Sequence, residues 1–223
     1  MWQEKQYRKI EHPVVRLVAG GLFLSLLVFL FPPLWGEGYT SITRIFSGQG
    51  VEILNNSIFF GWREDPRLLL LFIVVILLFK VVATAETTGG GGIGGIFAPT
   101  LFMGALTGYG LALALNTFLG LDLPEENFAL AGMAGLMAGV MHAPLTAIFL
   151  TAEVTGGYGL FIPLMIASTV SYLTIMRFEP HSIYAKRLAE KGQLITHHKD
   201  KAALLLMNTR DLVETDFEIL RPE

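Results

Sequence analysis

Apolar positions along this chain fall into long blocks. The first runs from Val14 to Leu34 and stops on Pro32-Pro33, which end a helix because neither ring nitrogen can donate to it. The second, RLLLLFIVVILLFKVVATA, covers Arg67–Ala85, and the third runs from Ile96 to Leu119. A helix needs about 20 mostly apolar residues to cross a bilayer, and each block approaches or exceeds that. A fourth block, Phe128–Glu153, is long enough too, but His142-Ala143-Pro144 interrupts it, and an interior proline breaks a helix. Tyr158–Met176 is the last. Between the first two lies a mixed stretch, Trp35–Arg67, in which WGEGYTSITRIFSG predicts a short interfacial helix. The pattern predicts an all-α membrane protein whose fourth helix is broken.

The stretch Glu86–Tyr109 stands out against this background. Six glycines fill the seven positions from 89 to 95, interrupted only by Ile93, and Ile96-Phe97-Ala98-Pro99 follows. Flexible backbone between two spans sits at membrane depth, where it is tolerated only if protein buries it or it lines a polar cavity. Proline in a first helical turn is favoured, so Pro99 marks a helix start. A glycine loop leading into a helix is an anion site in the making, since free N–H groups and the helix dipole point the same way. A nucleotide phosphate loop would need Gly-Lys-Ser/Thr next, and the chain has Ile-Phe-Ala-Pro instead. Close helix packing is the other reading of the glycines. Gly104 and Gly108 have the spacing for such packing.

Composition agrees with the blocks. The 223 residues are 52% hydrophobic and 16% charged, with mean hydropathy +0.55. A soluble domain carries about 25% charged residues. The absence of cysteine excludes disulfides, thiolate metal sites and thiol nucleophiles. A net charge of −3 gives no reason to expect nucleic acid as a partner. Nothing points to an enzyme or a cofactor, and His197-His198 reads as solvated in a polar tail. The 133/137/141 methionine stripe reads as packing. Lys80 lies inside an apolar run, where a lysine marks a functional site by default; the favoured reading is a near-terminal lysine that snorkels to the interface. Glu153 reads as a buried helix-end acid with a structural partner, in preference to a proton relay.

Charge also suggests sidedness. Residues 1–13 are a basic lead-in with Lys5, Arg8 and Lys9, and basic residues recur after Arg177. Asp122, Glu125 and Glu126 form an acidic loop between them. The positive-inside rule places both termini in the cytoplasm and this loop outside. That parity requires 128–141 and 144–153 to go in and come back out as a broken pair, a mark of transporter folds. Residues 14–192 make the membrane domain, and 193–223 a cytoplasmic tail that reads as the start of a domain continuing beyond this sequence.

At Gly95-Ile96-Phe97-Ala98-Pro99 the sequence resembles the CLC family of chloride channels and chloride/proton exchangers. AGMAGLMAGVMHAPLTAIFLTAEVTGGYGLFIPLMIAS (131–168) and SIYAKRLAEKG (182–192) support this, in family order and spacing. The resemblance covers most of 14–192 and corresponds to the second half of the CLC membrane domain, with its inverted repeat and its broken and re-entrant helices. It implies that chloride is held within the Gly95, Ile96, Phe97, Ala98 motif, by the backbone N–H groups of Ile96 and Phe97, and by the Tyr184 hydroxyl. It also implies a homodimer in a lipid bilayer with one pore per subunit. The family's GSGIP and GREGP motifs do not occur here, so an N-terminal half must complete the path. The tail from 204 resembles the opening of a CBS domain. Without the resemblance, Tyr184 reads as an interfacial tyrosine. A non-transporting membrane piece, or a relative selective for another anion, remain the alternatives.

Overall fold

The computed structural model describes residues 7, 12–154 and 156–190. The chain divides into two units, Met1–Pro180 and His181–Glu223. The described residues form helices joined by turns and open chain, with no strand among them, as the apolar blocks predict. The tail from 193 and nearly all of the lead-in lie outside the described residues.

Helix α1 spans Pro13–Leu30, with proline at a first-turn position where its missing N–H costs nothing. Pro32–Leu34 then form a 3₁₀ turn, so the first span is shorter than the apolar block. The predicted interfacial helix is α2, Tyr39–Phe46, which buries Ile42 and Ile45. Short 3₁₀ turns at Gly50–Leu54 and Phe60–Glu64 lead to α3, Pro66–Gly89. Asp65 caps α3 by accepting the Arg67 N–H at 2.9 Å. This helix runs four residues beyond the predicted Ala85, into the glycine run. Helix α4 spans Phe97–Leu119 and ends at Gly120, whose φ is +64°.

The predicted break in the fourth block is real. Helix α5, Glu125–Met141, stops at His142, and α6 spans Pro144–Val154. His142 takes the left-handed conformation with φ +55° and ψ +36°, and its ring meets Tyr172 edge-on at 5.8 Å. We expect His142→Val to lower stability by roughly 1–2 kcal/mol in a thermal melt, because a β-branched residue is strained there. His142→Gly should stay within about 1 kcal/mol of the parent, since relief of strain offsets the lost ring contact.

Helix α7, Phe161–Ile175, is shorter than the predicted Tyr158–Met176. Among the described residues, α1, α3 and α4 are long and apolar enough to cross a membrane. The second unit contains α8, Ile183–Glu190.

The core lies where α4 meets α3 and α5, around Phe72, Ile76, Phe102, Leu106, Met133 and Met137. The α4–α5 crossing is built from glycine. A Cβ on Gly104 would stand 2.6 Å from the Gly132 carbonyl oxygen, and one on Gly108 would overlap the Phe128 carbonyl. Backbone meets backbone, the close approach that small residues permit between membrane helices. Met133 and Met137 are buried there, so the methionine stripe is packing.

Candidate anion site at the glycine loop

The glycine run does two jobs. Its first half closes α3. The Gly92 N–H donates to the Thr87 carbonyl at 2.8 Å and the Gly91 N–H to the Thr88 carbonyl at 3.4 Å. Gly91 has φ +98°. This is the Schellman pattern, and the left-handed residue at its centre favours glycine. The second half is open chain, and a Cβ on Gly95 would meet nothing within 4 Å.

Ile96 then caps α4 with no side-chain bond, and its carbonyl accepts the Thr100 N–H at 3.0 Å. The first helical N–H groups have no intrahelical acceptor. Pro99 has no N–H to offer, so the free donors of this helix start are those of Ile96, Phe97 and Ala98. Among the described residues, none of these three has a backbone acceptor.

A cavity of about 850 Å³ opens beside this helix start. Gly95, Phe97 and Ala98 line it, and Ile96 does not. Lys80 of α3 lies on its wall, as does the exposed Glu37.

Lys80 corrects the snorkelling expectation. It is 2% exposed, and its Nζ donates to the Leu34 carbonyl at 3.2 Å and the Gly36 carbonyl at 2.9 Å. The ammonium also lies 4.8 Å from the centre of the Phe102 ring. Because α3 continues to Gly89, Lys80 is more than two turns from its end, and the 34–36 chain wraps carbonyls over it. Among the described residues no carboxylate pairs with it. The signal was in the sequence, as a lysine within an apolar run, but the carbonyls that cover it lie 44 and 46 residues away. Glu153 corrects a second expectation in part. It sits at the end of α6 with a partner, the Tyr158 hydroxyl, which donates to it at 3.3 Å, but it is exposed and not buried.

Gly95, Ile96, Phe97 and Ala98 are therefore consecutive at one helix start. Tyr184 lies on α8 in the second unit, where it is exposed. Unpartnered amides, a helix dipole and a buried ammonium on the adjoining cavity wall together favour a negative guest. Among the described residues there is no cluster of His, Cys, Asp and Glu fit for a metal ion.

Residues 1–175 match the family model described as voltage gated chloride channel. The chain belongs to the voltage-gated chloride channel, or CLC, family. It is 33% identical over 176 residues to a putative chloride channel protein ClcB-like of Ralstonia nicotianae, covering 78% of this chain and 37% of the relative. To the voltage-gated ClC-type chloride channel ClcB of Salmonella typhimurium it is 32% identical over 179 residues, covering 80% and 39%. The corresponding protein of Escherichia coli O6:H1 gives 31% over 183 residues, covering 80% and 38%. This CLC chain thus spans about two-fifths of the length of the curated relatives it matches. Family membership and its apolar helices make it an integral membrane protein.

Proposed function

We propose that this chain is the C-terminal part of a CLC chloride transporter or channel and forms one wall of its anion path. The observation that carries this is the set of unpartnered N–H groups at the start of α4, beside a cavity that also holds Lys80. Amide donors suit transport because weak binding at several sites lets the ion leave again. In this reading the amides of Ile96 and Phe97 hold chloride within the Gly95–Ala98 motif, and Tyr184 adds a hydroxyl donor. An N-terminal half supplies the opposite wall, the whole protein is a homodimer, and the termini of this chain face the cytoplasm. Whether chloride moves passively or in exchange for protons depends on glutamates of that other half.

Ile96→Pro tests the site most directly. It deletes one N–H, Gly95 before it imposes no steric limit, and the native φ of −92° lies near the range proline accepts. A hydrogen bond to a charged group is worth about 1.5–3 kcal/mol, so halide affinity should fall roughly 10- to 100-fold. Ile96→Ala, which keeps the N–H, should bind within a few-fold of the parent. Titration calorimetry with chloride reads both. Tyr184→Phe should lose affinity on a similar scale, and unchanged binding would remove Tyr184 from the site.

The fraction of the relatives' length covered favours a second reading, a membrane piece that packs or regulates without transporting. Chloride efflux from liposomes separates the two. The proposed path predicts no efflux from this chain alone and efflux once the N-terminal half is added. Efflux from the chain alone would show that the other half is dispensable.

A further inference from the structure

Glu86 is placed against two elementary preferences. It lies in the last turn of α3, where the helix dipole disfavours negative charge, and it is only 7% exposed within an apolar helix. Its partner comes from 79 residues away, since the Tyr7 hydroxyl donates to Glu86 Oε2. The same tyrosine ring lies over the end of α3, where a Cβ on Gly89 would stand 2.7 Å from Tyr7 Cδ2. Helix α1 closes in as well. A Cβ on Gly20 would come within 3.2 Å of Gly90 Cα and 3.4 Å of the Tyr7 hydroxyl. One turn earlier on α1, the Arg16 side chain reaches the next glycine. Its Nη2 is 3.5 Å from where a Cβ on Gly91 would stand, and its Nε is buried with no hydrogen-bond partner. Tyr7 and two positions of α1 thus converge on Gly89–Gly91, the cap from which the glycine loop departs.

A glycine run has more backbone freedom to lose than any other sequence. An amide site at its far end binds well only if that freedom is removed beforehand. Past the cap, a Cβ on Gly94 would reach only the Thr87 and Thr88 methyls, at 3.6 and 4.0 Å, and one on Gly95 would stand in open space. We propose that Tyr7 and Glu86 form a positioning latch, which fixes the direction in which the glycine loop leaves α3 and so holds the α4 amides in place for an anion. The latch sets the geometry of the site without touching the ion. Its link to anion binding rests on the site reading above.

Two readouts on the full chain in lipid nanodiscs test it. Hydrogen exchange at the capped amides of Gly90, Gly91 and Gly92, measured without halide, reports the cap. Chloride affinity reports the site. Tyr7→Phe removes only the hydroxyl and should speed exchange at the cap by about fivefold or more, while amides of α5 and α7 stay unchanged. Chloride affinity should fall several-fold in the same variant. Glu86→Gln keeps an acceptor for the hydroxyl and should remain within about twofold of the parent in both readouts, whereas Glu86→Leu should match Tyr7→Phe. Unchanged cap exchange in Tyr7→Phe would overturn the latch, as would equal acceleration across all helices. Faster cap exchange with undiminished chloride affinity would overturn its positioning role. If the parent itself binds no chloride, the site reading fails, and cap exchange alone still decides whether the latch exists.

Discussion

Gly108→Val is expected to separate α4 from α5 and leave no monodisperse protein on size-exclusion chromatography in detergent. Even one carbon at this position would overlap the Phe128 carbonyl and stand 3.0 Å from Ala129 Cα. Both obstacles are backbone, so no side-chain rotation can make room. The facing position is equally closed, since a Cβ on Gly132 would lie 2.9 Å from Gly108 Cα. The helices must move apart, and the contacts of Phe102, Leu106, Met133 and Met137 go with them. Overpacking usually costs about 1–3 kcal/mol, and here the loss extends along a whole helix pair, so the upper end or beyond is expected. Gly21→Ala is the matched control. A Cβ there meets nothing within 4 Å, and alanine in a helix is favoured over glycine by about 1 kcal/mol, so the melting temperature should hold or rise. Equal behaviour of the two variants would refute glycine contact as the basis of the crossing.

Lys80→Met should be the second large effect, seen as a lowered melting temperature together with weaker chloride binding. The substitution keeps the chain's length and apolar character but leaves the Leu34 and Gly36 carbonyls without their donor. The unmatched buried Leu34 carbonyl costs about 1–3 kcal/mol, the exposed Gly36 carbonyl less, and the contact with the Phe102 ring is lost too. Relief from burying an ammonium offsets part of this, so a net loss of roughly 1–3 kcal/mol is expected. The same change takes a positive charge from the wall of the cavity beside the α4 amides. Thermal unfolding and chloride titration of one preparation separate the two effects. A stability loss with unchanged chloride affinity would make Lys80 a clamp on the 34–36 segment and nothing more.

The reading of spans from apolar blocks held where a block was long and uniform. Pro13 and Pro66 start helices because proline suits a first turn, and His142-Ala143-Pro144 breaks one because it cannot suit the middle. Ends were harder to place. The span drawn to Ala85 reaches Gly89, since a Schellman cap can draw glycine into the last turn when the residues beyond it supply the right bonds.

By itself, the sequence determined an all-helical membrane chain, a break at His142, and a glycine-led helix start with free amides. These follow from local rules of period, proline and glycine that a window of residues contains. Only the tertiary structure decided which groups meet that helix start. Lys80 is buried because a carbonyl turn 44 to 46 residues earlier folds over it. Glu86 is partnered because Tyr7 returns to it across 79 residues. Such pairings depend on how helices cross, and the crossing of α4 and α5 is set by which backbone atoms can touch at Gly104, Gly108 and Gly132. The glycine loop is legible as flexible in one dimension; what holds it still is a property of three.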